Sequence, residues 1–459
     1  MEVVSTSAQT AVAPARACAH RVLRRVFEDG AYAEKALQAE AGELDPRDRA
    51  LAMRLAYGAI QRAGTSDFLI ERLARRPSAR IDAPLLASLR LGLYELLFLD
   101  GSPDYAVVAD AVELAKAPGG RGHGLVNAVL RRAAREGAAG LLGPLGDADP
   151  RAAAVAHSHP EWIARMWWEA LGADDARALM RRDNEPAELA LRANTLVCEA
   201  DELAARLGAP THRDPRIPEA LVLDAPYDVR GSELWREGAF TAQSRAAMLV
   251  ARTLAPQPGE DVLDLCAAPG GKSTHLAALM GGEGSVVAVD ANPRRARALE
   301  LTARRMRASS IRVEVGDARV PRTGERYDRV LVDPPCSGLG TLQARPDLRW
   351  RASLAAIEEM CEAQFRILDS GAQVLRPGGV LVYSTCTISP TENERLLAAF
   401  LGDHPDFEPD DLAAEMPDLA PPPHTAGTPP ALPGGGSALQ TLPHRHDTAG
   451  FFIARLRRR

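Results

Sequence analysis

The sequence predicts a multidomain α and α/β protein, with an N-terminal helical bundle, a small α+β lobe and a C-terminal doubly wound parallel sheet. Apolar residues recur at helical spacing from Pro14 to Glu136, whereas from Val262 onward short β-type runs alternate with helical stretches. At 459 residues the chain is too long for one hydrophobic core, and the glycine-, proline- and aspartate-containing stretch Gly140–Pro150 reads as a linker. The expected domains are 1–140, a linker at 141–150, 151–237 and 238–459.

In the first domain Cys18, Val22, Leu23, Val26 and Phe27 mark one apolar helix face, and Val108, Ala111, Val112 and Ala115 mark another. Leu85–Leu99 is apolar nearly all round, as expected of the central helix of a bundle. Asp45-Pro46, Arg76-Pro77 and Ala117-Pro118-Gly119-Gly120 break the helices. The small lobe opens with His159-Pro160-Glu161-Trp162 and Trp167-Trp168; Leu189–Thr195 and Leu221–Leu223 read as its strands, and the tryptophans, at helical spacing, as core.

Within the third domain, Val262–Leu265 is a strand that turns through Cys266-Ala267-Ala268-Pro269-Gly270-Gly271-Lys272 into a helix beginning near Ser273. Two glycines and a helix N-terminus suit close approach of the backbone to a ligand. A nucleotide P-loop needs a glycine five residues before Gly271, where this chain has Cys266, so ATP and GTP are discounted. Val286–Val289 is a second strand ending on Asp290, placed to accept from ribose hydroxyls, and Asn292-Pro293 starts a helix through Met306. Ile311–Val315 leads to Asp317, a carboxylate for an adenine amino group. Val330–Val332 runs into Asp333-Pro334-Pro335-Cys336-Ser337-Gly338, and Val380–Tyr383 into Ser384-Thr385-Cys386-Thr387. All five features fall at strand carboxyl ends, where doubly wound sheets bind ligands. Ser389-Pro390-Thr391-Glu392 has the pattern of a capping box, which would put a helix N-terminus near Cys386. Pro417–Gly436 reads as a long mobile loop before a last strand, Phe451–Ala454.

The loop Ala267–Lys272, the Asp333–Gly338 segment and Ser384-Thr385-Cys386, with Gly238–Gln243 leading in, resemble the catalytic domain of the RNA cytosine-5 methyltransferases. The resemblance covers about Phe240 to the C-terminus and implies a Rossmann-like class I domain that uses S-adenosylmethionine. It places Cys266, Ala267, Ala268, Pro269, Gly270, Gly271 and Lys272 around the cofactor's methionine part, Asp290 at the ribose, Asp317 at the adenine and Asp333 where methyl donor and base meet. Tyr57–Arg62, Leu89–Leu96 and Val126–Arg132 are similar to the NusB-type RNA-binding domain. Together the two resemblances point to the RsmB-type (Sun or Fmu) methyltransferases of bacterial small-subunit ribosomal RNA. The family usually has Asp-Gly before the final phenylalanines, where this chain has Ala449-Gly450.

Carbon 5 of cytosine is a poor nucleophile, so a thiolate first adds to carbon 6 and makes carbon 5 enamine-like. Sequence chemistry does not choose between Cys336 and Cys386; the resemblance makes Cys386 the nucleophile and Cys336 the residue that assists product release. Asp333 would act near the base's N3 and exocyclic amine, protonated or sharing a proton with it. Cys18, Cys198 and Cys361 read as core thiols. Lys272 is one of three lysines, with Lys35 and Lys116, in a chain where arginine takes almost every other basic position; a role such as holding the cofactor carboxylate follows.

A net charge of −6 excludes recognition by a bulk positive field, leaving local clusters as phosphate contacts: Arg72, Arg75, Arg76, Arg80, Arg131, Arg132 and Arg135. No apolar run spans a membrane, Met1–Ser5 lacks a signal-peptide start, and unpaired cysteines suit a reducing compartment; a cytoplasmic monomer acting on ribosomal RNA, without DNA, membrane or metal, is expected. His157/His159 and His444/His446 lack partner cysteines. The competing readings are a cytosine-5 methyltransferase of another RNA such as tRNA, a methyltransferase of protein or small molecules, and a non-catalytic RNA-binding assembly factor. Against the last stands the intact set of motif residues.

Overall fold

The computed structural model describes residues 12–116, 122–422 and 431–459. They form two compact units: one holds the described residues up to Trp168 with Ala176–Glu185 and Arg345–Arg351, the other Glu169–Asp175, Pro186–Ala344 and Ala352–Arg459.

The first unit is helical. Pro14–Phe27, Ala33–Glu40, Pro46–Gln61, Ala63–Ala74, Ala83–Phe98, Asp104–Leu114 and His123–Leu142 follow the apolar periodicity of the sequence. Asp45 caps its helix by accepting from the Asp48 amide at 2.9 Å, and Pro46 supplies a first-turn residue with no amide to satisfy. Ala83–Phe98 is the central helix, with Leu85, Leu89, Leu91, Leu93 and Leu97 all buried. The expected break at Ala117–Gly120 lies outside the described residues. Trp162, Trp167 and Trp168 pack with this helical unit rather than with the small sheet. Trp167 is fully buried edge-on against His159, so the core reading of that tryptophan holds.

One part of the unit was not visible in any periodicity. The segment Arg345–Arg351, distant in sequence, packs inside it. Arg349 is fully buried and donates to the carbonyls of Gln61 (3.2 Å), Ser158 (3.0 Å) and Asp183 (3.0 Å) and to Asn184 Oδ1 (2.9 Å). Trp350 Nε1 donates to the Ile60 carbonyl at 2.8 Å. Of the arginines proposed for phosphate, Arg72 and Arg132 both pair with Glu136, Arg131 donates to Asn127, and Arg75, Arg76, Arg80 and Arg135 are exposed.

The second unit contains two sheets. The smaller joins β1 (Ala190–Ala193), β2 (Thr211–Asp214), β3 (Ile217–Leu223) and β4 (Phe240–Ala242) in the antiparallel order β2-β3-β1-β4. The larger carries β5 (Asp261–Leu265), β6 (Ser285–Asp290), β7 (Ile311–Val315), β8 (Tyr327–Val332) and β9 (Leu375–Thr385), parallel in the order β9-β8-β5-β6-β7. The edge beyond β9 departs from the all-parallel expectation. β10 (Phe407–Pro409), β11 (Leu439–Thr441) and β12 (Phe451–Arg458) are antiparallel there, β12 pairing with β9, β10 and β11. β11 reaches β12 through a short connection holding a single helical turn, Pro443–His446, too short for the crossover that parallel pairing needs. In the stretch 417–436 the described residues hold a 3₁₀ turn, Pro417–Leu419, and buried Leu419 and Leu432; residues 423–430 lie outside the description.

Candidate active site

Strand register sets the site. Val289, Leu265, Val332 and Tyr383 are paired neighbours across β6, β5, β8 and β9. The next residue of each strand therefore emerges in one row at the carboxyl edge: Asp290, Cys266, Asp333 and Ser384. Cys386 follows two residues after Ser384, and Cys336 three after Asp333.

The Cys266–Lys272 loop is held from several sides. Ala267 N–H donates to the Val289 carbonyl at 2.8 Å, and Arg295 donates to the Ala268 carbonyl at 2.9 Å. Gly270, at φ +101, ends the turn before the helix Gly271–Leu279. Arg192 of β1, fully buried, donates to Gln243 Oε1 (2.7 Å), Thr274 Oγ1 (2.8 Å) and the Gly271 carbonyl (3.2 Å), tying the small sheet to the loop. Burial pulls its guanidinium down to about 9.

Asp290 is buried, accepts from the Asn292 amide at 2.9 Å, and lies 3.3 Å from Arg295. Asp317 is half exposed, and its carboxylate is gripped by Arg319, whose hydrogen bonds hold it down at about 2. Lys272 does not stand free for a cofactor carboxylate: its Nζ donates to Asp333 Oδ2 at 2.7 Å and lies 5.2 Å from the Phe451 ring centroid. Burial opposes the charge, but the Asp333 carboxylate raises the ammonium above its ordinary value. Ser384 Oγ donates to Asp333 Oδ1 at 2.8 Å, so the aspartate is fixed at both oxygens.

The two loop thiols meet: Cys336 Sγ and Cys386 Sγ are 3.4 Å apart, both half-buried and unlinked. The hydrogen bond to Cys386 pushes the Cys336 thiol well above its usual value, with burial and the charges of Cys386, Glu392 and Asp333 acting in the same direction. Cys266 is pushed up to about 12 by burial and neighbouring carboxylates and stays a thiol. The loop backbones touch as well: Gly340 N–H donates to the Cys386 carbonyl at 3.0 Å and Gly450 N–H to the Gly340 carbonyl at 2.7 Å. A Cβ on Gly340 would sit 1.9 Å from the Gly450 carbonyl oxygen, so this crossing admits only glycine.

The capping-box reading of Ser389–Glu392 is overturned. The helix runs Glu394–Asp403 with Asn393 preceding it, and the Glu392 carboxylate binds Ser337 instead of its own turn. A helix N-terminus at Ser389 therefore gives no account of Cys386. Sequence reasoning gave no individual role to Ser384, Gln243, Arg192 or Asp264. Asp264 in β5 is buried, takes the Ser273 hydroxyl on Oδ2, and leaves Oδ1 without a partner among the described residues. Burial pushes it up to about 7, against the Ser273 hydrogen bond and helped by Asp333. Among those residues no group of three His, Cys, Asp or Glu converges as a metal site. No helix there is long and apolar enough to cross a membrane.

These residues fit a ligand with a positive centre. Asp333 and Asp290 both act electrostatically on Asp264, Lys272 opposes them, and the second Asp264 oxygen is without a partner among the described residues. A parallel sheet with such a loop at its carboxyl edge is the frame of the methyltransferases that use S-adenosylmethionine, among other doubly wound proteins, and the comparisons name the kind. Residues 251–457 match the family model for 16S rRNA methyltransferase RsmB/F, residues 13–135 the NusB family, and residues 159–230 a ferredoxin-like domain of RsmF/B-like methyltransferases. The chain is 34% identical to the probable ribosomal RNA small subunit methyltransferase B of Bacillus subtilis (strain 168), over 97% of this chain and 98% of the relative. It is 32% identical to ribosomal RNA small subunit methyltransferase B of Cronobacter sakazakii, covering 96% and 98%. The crystal structure of PH0851 superposes with a TM-score of 0.77 at 29% identity, covering 97% of this chain and 99% of that one. A methyltransferase homologue from Pyrococcus horikoshii gives 0.57 at 28%, covering 67% and 98%. The chain belongs to the RsmB/F family of small-subunit ribosomal RNA methyltransferases and uses S-adenosylmethionine.

Proposed function

We propose that the protein methylates carbon 5 of a specific cytidine in 16S ribosomal RNA through a covalent adduct of Cys386 at carbon 6. The observation that carries this is the pair of thiols 3.4 Å apart beside an aspartate fixed by Lys272 and Ser384. A methyltransferase acting at an intrinsically nucleophilic atom needs no such pair.

The Cys386 thiolate adds to C6, and the C5=C6 electron pair moves onto C5 as a proton passes to N3 from the Lys272–Asp333 pair, which takes it back on elimination. Because Lys272 interacts electrostatically with both Cys386 and Asp333, charge on either is offset by the same ammonium. S-adenosylmethionine supplies the electrophilic methyl group that C5 takes up. Elimination follows: a base takes the C5 proton, its bonding pair re-forms C5=C6, and the C6–S pair leaves on Cys386 sulfur, a step that Cys336 assists. In this reading Cys266 to Lys272 enclose the methionine part, Asp290 the ribose and Asp317 the adenine end, beside Arg319. The target must leave its stack, so a hairpin loop or single-stranded segment is the expected substrate.

The deciding experiment is transfer of labelled methyl groups to deproteinised small-subunit RNA, followed by nucleoside mapping. Label on 5-methylcytidine at one site supports the proposal; label on another base, or none on ribosomal RNA while tRNA is labelled, overturns it. A second measurement tests the cofactor assignment. Asp290→Ala removes a charge-assisted acceptor worth about 1.5–3 kcal/mol, so S-adenosylmethionine affinity by calorimetry should fall roughly 10- to 150-fold. Unchanged affinity in a folded variant would remove Asp290 from the site.

A further inference from the structure

Glu392 and Asn393 lie between Cys386 and the helix Glu394–Asp403, and both are fully buried. Each side chain grips the residues flanking one cysteine. Glu392 Oε1 accepts the Ser337 amide at 2.8 Å and Gln364 Nε2 at 3.1 Å, while Oε2 accepts the Ser337 hydroxyl. Gln364 Nε2 also donates to the Pro335 carbonyl at 2.8 Å, so both neighbours of Cys336 are tied to one carboxyl group. Asn393 does the same for Cys386: its Oδ1 accepts Thr385 Oγ1 at 2.6 Å and its Nδ2 donates to the Thr387 carbonyl at 3.1 Å. The halves join where Thr387 Oγ1 and Ser337 Oγ lie 2.6 Å apart. Since the Ser337 proton goes to Glu392, the Thr387 hydroxyl donates to Ser337. Tyr383 anchors the whole from below, its hydroxyl donating to the Glu392 carbonyl at 2.7 Å.

We propose that Glu392 and Asn393 are positioning residues that set the spacing of Cys336 and Cys386, and that Glu392 thereby governs release of the methylated RNA. The proposal rests on reading Cys386 as nucleophile and Cys336 as the release group. Glu392 is shut off from solvent and its carboxyl group bonds only residues beside Cys336 and Gln364, so apart from its charge on that thiol it acts through the Cys336 loop. Loss of its carboxyl group leaves the Ser337 amide unpaired and frees that loop, whereas Cys386 remains held by Asn393. Addition to C6 and uptake of the methyl group then persist. Elimination, in which the C5 proton departs and the C6–S pair returns to Cys386, is slowed.

The test follows labelled small-subunit RNA in single turnovers, separating covalent RNA–protein complex from free methylated RNA on denaturing gels. Glu392→Ala should bind S-adenosylmethionine normally, form the adduct at close to the normal rate and release RNA about 100-fold more slowly, the scale of a misplacement near 1 Å. Glu392→Gln should restore release to within a few fold, because the Ser337–Thr387 hydroxyl pair can reverse and accept the amide. Three results overturn the proposal: normal release by Glu392→Ala, equal loss of adduct formation and release, or Gln behaving as Ala, which would assign the effect to charge. Cys336→Ala and Cys386→Ala run alongside. If the first traps no adduct, or the second still forms one, the roles of the cysteines fail; if both behave as assigned and Glu392→Ala releases normally, only the clamp fails.

Discussion

Cys386→Ala is expected to abolish methylation and to leave no RNA–protein adduct, although both substrates still bind. Cys336→Ala should do the opposite with respect to the adduct, letting the C6 thioether form and persist through denaturing electrophoresis. The asymmetry follows from the pair itself. The sulfurs are 3.4 Å apart, and the hydrogen bond to Cys386, with burial and the charges of Cys386, Glu392 and Asp333, raises the Cys336 thiol. Charge on Cys386 instead interacts with the Lys272 ammonium. Only a thiolate adds to C6 at a useful rate, so removing Cys386 removes the attacking group itself. The trapped complex of Cys336→Ala should vanish in the double variant. An adduct formed by Cys386→Ala and lost on removing Cys336 would reverse the roles and leave the methyltransferase standing.

The alignment of Asp290 and Asp333 at the carboxyl edge was legible because strand periodicity is local and the sheet's register does the rest. Val289, Leu265, Val332 and Tyr383 end their strands in step, so residues marked by short-range patterns, such as Asp290 and Asp333, arrive side by side. What the sequence hid depends on partners far along the chain. Glu392 has the spacing of a local cap to Ser389, but its carboxyl group is taken by the Ser337 amide 55 residues away, in a buried setting where no water competes for the bond. Arg192 and Arg349 are fully buried in a chain so rich in arginine that neither stands out; three of the four Arg349 acceptors are main-chain carbonyls, which leave no trace in residue type, and the side chains that Arg192 binds, Gln243 and Thr274, lie far along the chain. Lys272 stood out as a rare lysine, yet its partner proved to be Asp333, 61 residues on. The antiparallel β12 was equally out of reach, because an apolar strand reads the same in either direction.

Arg349→Ala is expected to lower the stability of the helical unit by about 3–5 kcal/mol, the usual result of removing one partner from a buried charged network. Four acceptors depend on this guanidinium: the carbonyls of Gln61, Ser158 and Asp183, and Asn184 Oδ1. They belong to three stretches of the unit that share no regular hydrogen-bonding ladder, and Arg349 is fully buried among them. Burial pulls its own charge down to about 10 and pushes Asp183 up to about 7, while each group favours the charged form of the other. Lysine will not substitute, since an ammonium has neither the reach nor the planar fork to serve all four acceptors. Calorimetry of the full chain should show the transition of the helical unit lowered by on the order of 10 °C, with Arg349→Lys nearly as damaging. The same packing argues against testing the N-terminal domain by deletion up to residue 150, because that removes Gln61 and Ile60, the acceptors of Arg349 and Trp350, along with any RNA contact. Exchanging exposed Arg75, Arg76 and Arg80 for glutamine probes phosphate binding without that loss. An unchanged unfolding profile for Arg349→Ala would show that the buried Arg349 contacts contribute nothing to the stability of the unit.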